Sequence, residues 1–153
     1  MPQFRAMNNY IIMREDGQFA LLISPGLYNI IFIVRVFKST WFSRFAGKEG
    51  IKDHELKKMV NQLEAGKADA DLGGGVYKLR VSRSGGGKSG GYRVIVFFKS
   101  KNRTFYAYGF PKADKGNIND KQLRDFKTAA KVIFGYSEKE LDERVKTGLF
   151  LEI

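Results

Sequence analysis

The chain has 153 residues, 43% of them apolar and 14% aromatic, with 28% charged; this suits one folded domain in water and excludes a disordered chain or a polytopic membrane protein. Its 27 lysines and arginines outnumber 16 acids for a net charge of +11, which favours polyanionic partners such as RNA, DNA or anionic lipid. With no cysteine and a single histidine, His54, there are no disulfide frameworks, thiolate zinc sites or cysteine nucleophiles, and almost no material for histidine cages or triads; this composition is compatible with a reducing cytoplasm.

Residues 18–33 carry no charge, and Phe19–Ile23 and Ile30–Val34 are apolar runs separated by Ser24-Pro25-Gly26 and Asn29. A membrane-spanning helix needs about 20 continuous apolar residues. The interruption therefore favours two short strands around a Ser24-Pro25-Gly26 turn over a membrane span or a signal peptide. Val34–Lys38 alternates as a strand. Ser39 or Thr40 then caps a helix with Trp41, Phe42, Phe45 and Ala46 on one side, and Gly47 and Gly50 bracket its end. Leu56, Met59, Val60 and Leu63 predict a second helix over Lys52–Ala65, stopped at Gly66.

Next comes a predicted antiparallel meander: Val76–Arg83, the glycine-rich loop Ser84–Gly91, Tyr92–Lys99, a turn at Ser100–Asn102, and Arg103–Phe110. A further helix starts at Asn119, turns Leu123, Phe126, Ala130 and Ile133 inward, and ends at Gly135. Ser137 and Glu140 have capping-box spacing for a last helix carrying Leu141 and Val145, stopped near Gly148. The predicted class is α+β: a small antiparallel sheet with two preceding helices and C-terminal helices.

The charge is concentrated. Residues 75–115 hold Lys78, Arg80, Arg83, Lys88, Arg93, Lys99, Lys101, Arg103, Lys112 and Lys115 against one acid, Asp114, while the rest of the chain is nearly neutral. Strand alternation puts Tyr77, Leu79 and Val81 on one face and Lys78, Arg80 and Ser82 on the other. On the next strand Tyr92, Val94, Val96 and Phe98 form the apolar face, leaving Arg93 opposite with Lys99, so Lys78, Arg80 and Arg93 are expected to converge on one open sheet surface. Charged outer faces of sheets are routine. An ordinary solvated face mixes both signs, however, and the excess here points to a functional one.

Other candidates are weaker. Lys88 within Gly85-Gly-Gly-Lys-Ser-Gly-Gly91 suggests a phosphate loop, but the glycine required five residues earlier is Ser82, and a strand follows in place of a helix. The loop is either a hairpin tip or a basic flap that closes over a nucleic-acid backbone. His54 sits in a polar helix start and reads as solvated. Asp69 and Asp71 lack a third ligand, so no metal site is expected. Tyr106 and Tyr108 alternate along one strand with both hydroxyls on one side, as core residues or as base-stacking ones.

From Val34 onward the sequence resembles the RelE/ParE superfamily of bacterial toxins, in particular its RelE and HigB-like branch of cytotoxic translational repressors. The residues that carry the resemblance are Arg35-Val-Phe-Lys38, Trp41-Phe42, Ala70-Asp-Leu-Gly-Gly-Gly-Val-Tyr-Lys78, Gly87-Lys-Ser-Gly-Gly-Tyr-Arg93, and Tyr108-Gly-Phe-Pro-Lys112 followed by Asn117-Ile118. Members begin near Arg35. Residues 1–33 are therefore expected to be an N-terminal extension, either upstream sequence translated ahead of Val34 or a strand hairpin, with the toxin domain over 34–153.

The resemblance implies a cytoplasmic toxin neutralised by a cognate antitoxin, a small DNA-binding protein, with no membrane role. It implies ribosome-dependent cleavage of messenger RNA: the 2′-oxygen attacks the adjacent phosphorus, giving a cyclic phosphate and a 5′-hydroxyl, with no metal or cofactor. Such chemistry wants a proton acceptor, cations on the phosphorane charge and a donor to the leaving oxygen. With histidine nearly absent, a lysine among cations would serve as base, and arginines would hold the phosphate. Tyr77-Lys78 and Arg80 fall where RelE-type toxins carry basic residues on the first hairpin strand. Arg93 after Gly91-Tyr92 matches the family arginine, and Lys112 falls near the basic residue that follows the last strand. Lys78, Arg80, Arg93 and Lys112 are thus the expected catalytic set, and Arg83, Lys88, Lys99, Tyr106 and Tyr108 the expected RNA contacts. The hairpin loop is longer than in RelE itself, and the tail after Lys112 has no obvious counterpart to its late tyrosine. Two alternatives stand beside this reading: a ParE-like toxin acting by contact with DNA gyrase, and a non-catalytic nucleic-acid-binding module.

Overall fold

The computed structural model describes residues 34–82, 91–112 and 118–153, and within residues 1–33 the backbone of four strands. These are β1 (Phe4–Ala6), β2 (Asn9–Met13), β3 (Phe19–Ile23) and β4 (Asn29–Phe32), paired in sequence order as an antiparallel sheet. The ladder of β3 with β4 runs from Ala20↔Phe32 to Ile23↔Asn29. The Ser24-Pro25-Gly26 turn expected between them lies outside the described residues.

From Val34 onward the order is β5 (Arg35–Ser39), α1 (Thr40–Glu49), α2 (Asp53–Glu64), β6 (Ala70–Gly73), β7 (Val76–Val81), β8 (Tyr92–Lys99), β9 (Arg103–Pro111), α3 (Asp120–Gly135), α4 (Glu138–Lys146) and β10 (Phe150–Glu152). The class is α+β, as expected, but the sheet is larger than the meander alone. Six strands lie in the order β10-β5-β9-β8-β7-β6, and β5 runs parallel to β9 while every other pair is antiparallel.

Local chemistry sets the helices. The Ser39 hydroxyl accepts from the Phe42 amide at 2.9 Å and donates to the Ala107 carbonyl at 2.9 Å, so the cap of α1 also ties it to β9. α1 stops at Gly50, whose φ of +72° is left-handed. α3 opens on a reciprocal cap, with Asn119 accepting from the Gln122 amide at 2.8 Å and Gln122 reaching back to the Asn119 amide at 3.0 Å. Ser137 and Glu140 repeat the arrangement at α4, as their spacing predicts.

The sheet is buried on both faces. One core joins Phe42, Ala46, Leu56, Val60 and Leu63 of α1 and α2 to Leu79, Val94, Val96 and Tyr106. A second joins Ala130 and Ile133 of α3, Leu141 of α4 and Phe150 of β10 to Phe37, Val76, Ile95, Phe97 and Phe105. This corrects the expectation of one open, cationic sheet surface. Tyr92–Phe98 is buried at every position because Ile95 and Phe97 share the face of Arg93 and need a cover of their own.

Candidate functional site

The ladder brings three of the four expected catalytic cations together. Arg80 is the partner of Arg93, and Arg93 of Phe110, forming one rung across β7, β8 and β9. Lys78 lies two residues back on the same face, in the rung of Ile95 and Tyr108. Lys112 follows Pro111, and its amide donates to the Gly91 carbonyl at 3.2 Å, so it continues the ladder at this same end of the sheet. Lys78 is half-buried; Arg80 and Lys112 are exposed. Among the described residues no acid lies within ion-pairing distance of these three.

Arg93 departs from its expected exposure. It keeps only 8% of its surface, with Nε 3.7 Å from Asp69 and one terminal nitrogen 3.5 Å from the Tyr92 carbonyl. It is therefore a buried cation beside Arg80 on the neighbouring strand, loosely paired, and not a free arm on an open strand.

The expected RNA contacts divide. Arg83 and Lys88, and the Ser84–Gly90 part of the glycine loop, lie outside the described residues. Lys99 is exposed but sits six residues along β8 from Arg93, about 20 Å away at strand rise, in the rung of Arg103 at the far end. Tyr106 cannot stack a base: it has no exposed surface, and its hydroxyl donates to the Leu56 carbonyl at 2.6 Å beneath α2. Burial pushes that hydroxyl's pKa well above the usual phenol value. Nor do the two tyrosines share a side. The register shifts between Ile95↔Tyr108 and Val96↔Tyr106, a bulge around Ala107 that sends Tyr106 to the α1–α2 core and Tyr108 to the other face.

The far end of the sheet holds a different kind of cationic cluster. Arg35 donates to Glu138 at 2.6 Å, Asp142 at 2.7 Å and Glu152 at 2.8 Å, and lies 5.0 Å over the Phe37 ring. Hydrogen bonding to Glu152 above all raises its guanidinium pKa from an already high value. Arg103 is 5% exposed and donates to the Ile133 carbonyl at 3.0 Å, the Tyr136 carbonyl at 2.8 Å and Glu138 at 3.1 Å. Burial lowers its pKa, against the pull of Glu138. Arg103 thus serves as a brace that satisfies the last carbonyls of α3. Although it lies within the basic stretch 75–115, its charge is spent on the fold.

Residues 34–153 match the family described as the RelE toxin of the RelE / RelB toxin–antitoxin system. The chain belongs to the RelE toxin family. The match starts one residue before β5 and runs to Ile153. A RelE-type toxin has a cognate antitoxin as its partner, and the α+β unit with a mostly antiparallel sheet is consistent with this family. Among the described residues no helix is long and apolar enough to cross a membrane.

The apolar pattern sets Trp41 on one side of α1 with Phe42, Phe45 and Ala46. Trp41 is 44% exposed, stacked on Tyr108 at 4.4 Å, with Arg44 and Lys48 exposed at helical spacing beside it. The 41-44-48 spacing was the available signal, since it marks one helix face distinct from the Phe42-Ala46 stripe.

Proposed function

We propose that this toxin arrests translation by cutting messenger RNA bound in the ribosome, and that Lys78, Arg80, Arg93 and Lys112 act at the scissile phosphate. The observation that carries this reading is the gathering of these cations at one end of the sheet, where Arg80 and Lys112 are exposed, Lys78, Arg80 and Lys112 have no described acid within ion-pairing distance, and Arg93 has only Asp69 at 3.7 Å. A phosphorane carries more negative charge than the phosphodiester it comes from, so cations left unneutralised stabilise the transition state more than the ground state. Arg80 offers a planar fork to two phosphate oxygens. Arg93, its buried cross-strand neighbour, adds fixed charge beside it at low dielectric. Lys78 and Lys112 flank the pair and supply the proton movements: one, as the neutral amine, takes the 2′-hydroxyl proton as the O–P bond forms, and the other, as the ammonium, donates to the departing 5′-oxygen. The ribosome contributes in-line alignment, which is worth about 7 to 11 kcal/mol in favourable cases.

The test maps 5′ ends of a reporter transcript in cells expressing the toxin, with and without a start codon, then repeats the reaction on purified stalled ribosomes with chelator. Cuts confined to the translated transcript and insensitive to chelator are expected; equal cutting of the untranslated transcript rejects the reading. Growth arrest with intact transcripts and inhibited gyrase would favour the protein-contact alternative. We also propose that the antitoxin is a small DNA-binding protein encoded beside the toxin, whose co-expression restores growth. Residues 1–33 lie outside the catalytic unit in this reading, so a chain starting at Val34 is expected to stay soluble and toxic. An insoluble truncation beside a soluble full-length protein overturns that boundary.

A further inference from the structure

Between α1 and the end of β9 lies an open groove of about 510 Å³ whose walls include Trp41, Arg44, Lys48 and Tyr108 and whose floor runs along Gly109–Pro111. Its shape depends on glycine: a Cβ at Gly109 would fall 2.3 Å from Cε1 of Phe45, so the bare backbone lets that ring lie across the strand. Tyr108 backs the Trp41 indole at 4.4 Å with 27° between planes, while Phe45 stacks on it at 5.6 Å, so the indole is fixed although 44% of its surface is exposed. Two cations, Arg44 and Lys48, stand along the rim. The groove's one acid, Glu49, is occupied by the Tyr92 hydroxyl at 2.8 Å.

We propose that this groove is a nucleotide subsite for single-stranded RNA, in which a base lies against Trp41 and the adjoining phosphates meet Arg44 and Lys48. A rigid aromatic ring beside paired cations is the combination that binds single strands with little regard to sequence, because every base has a π-face and every nucleotide a phosphate. An acidic peptide would satisfy the cations but gain little from a pre-stacked indole. The floor continues through Pro111 into Lys112, so a strand in the groove leads to the cationic end of the sheet. The inference extends the messenger-RNA reading to a second contact outside the proposed catalytic set.

Trp41 is the only tryptophan in the chain, which makes its emission a direct reporter. The full-length protein is titrated with a short labelled oligoadenylate, following label anisotropy and tryptophan emission together. Expected is quenching that saturates in step with anisotropy, and no quenching by an abasic ribose-phosphate oligomer that still binds. Trp41→Ala should weaken binding roughly five- to a hundredfold, and Trp41→Phe should recover much of the loss. Arg44→Ala and Lys48→Ala should each flatten the salt dependence of log affinity by about 0.7. No binding, binding with unchanged emission, equal quenching by the abasic oligomer or an acidic peptide, or unchanged salt slopes would each overturn the subsite. Transcript mapping separates the two readings. Quenching without translated-transcript cleavage removes the nuclease and leaves the groove, and cleavage without quenching does the reverse.

Discussion

Both ends of the six-stranded sheet carry arginine, held in opposite ways. At the far end Arg35 and Arg103 are tied to Glu138, Asp142 and Glu152, and to carbonyls at the end of α3. At the near end Arg80 and Lys112 have no described acid in reach, and Arg93 has only Asp69 at 3.7 Å. Residue type does not separate the two clusters, and neither does local charge density, since Arg103 belongs to the same basic stretch as Arg93. What separates them is whether the C-terminal segment delivers counter-charges. α4 and β10 pack against the far end and bring their acids with them. Cations that are paired and buried hold the fold, whereas cations left without partners keep their field for an outside anion.

The comparison is sharpest when one arginine is removed from each end. Arg103→Ala is expected to cost about 3 kcal/mol, because two carbonyls at the end of α3 lose a charged donor and Glu138 is left with Arg35 alone; a urea midpoint close to that of the unaltered protein would break the distinction. Arg80→Ala should stay within about 0.5 kcal/mol of the parent in the same assay yet abolish growth arrest. Arg80→Lys should restore toxicity only in part, because an ammonium cannot reproduce the bidentate contact.

Arg93 falls between these extremes. Burial means that Arg93→Ala should lower stability by about 1–3 kcal/mol as well as toxicity, so the loss of growth arrest has to be read against the soluble fraction. Full toxicity of a well-expressed Arg93→Ala protein would remove it from the site.

Tyr106, under α2 midway along β9, serves as a control for both ends. Tyr106→Phe loses one buried hydrogen bond, about 1 kcal/mol, and should leave transcript cleavage unchanged. Its titration has a clear sign. The folded pKa lies above the unfolded value of about 10, so its contribution is complete below pH 10 and declines as pH rises further. The stability difference between parent and Tyr106→Phe should therefore shrink on the alkaline side.

The smallest effect concerns the cap of α4, which carries Glu138 into the tied cluster. The Ser137 backbone and side chain hold the Glu140 carboxyl below its usual pKa. Its contribution is present above the unfolded value of about 4.3 and is lost as pH falls through the folded one. Glu140→Gln keeps an acceptor without that titration, so its acid unfolding curve should be slightly shallower, while toxicity at neutral pH stays the same.

Much of this protein is decided within short windows of sequence. The pairs Asn119–Gln122 and Ser137–Glu140 carry their own helix starts, and Gly50 and Gly66 their stops, because caps and left-handed residues act over three or four positions. Alternation along β7 and β8 likewise fixes Lys78, Arg80 and Arg93 on one face, and that placement was legible in advance. Three features were not. The bulge at Ala107 separates Tyr106 from Tyr108, and a bulge depends on the partner strand's ladder as well as on the strand's own pattern. The parallel pairing of β5 with β9 and the short edges β6 and β10 depend on chain segments that meet only after long excursions. The difference between brace and site was settled in the same way, by Glu152 reaching Arg35 across 117 positions while no described acid reaches Arg80. Sequence thus determined the elements and the faces of their charges, through propensity and period. The tertiary structure alone decided which charges are neutralised, because that depends on which distant acids the packing brings within reach.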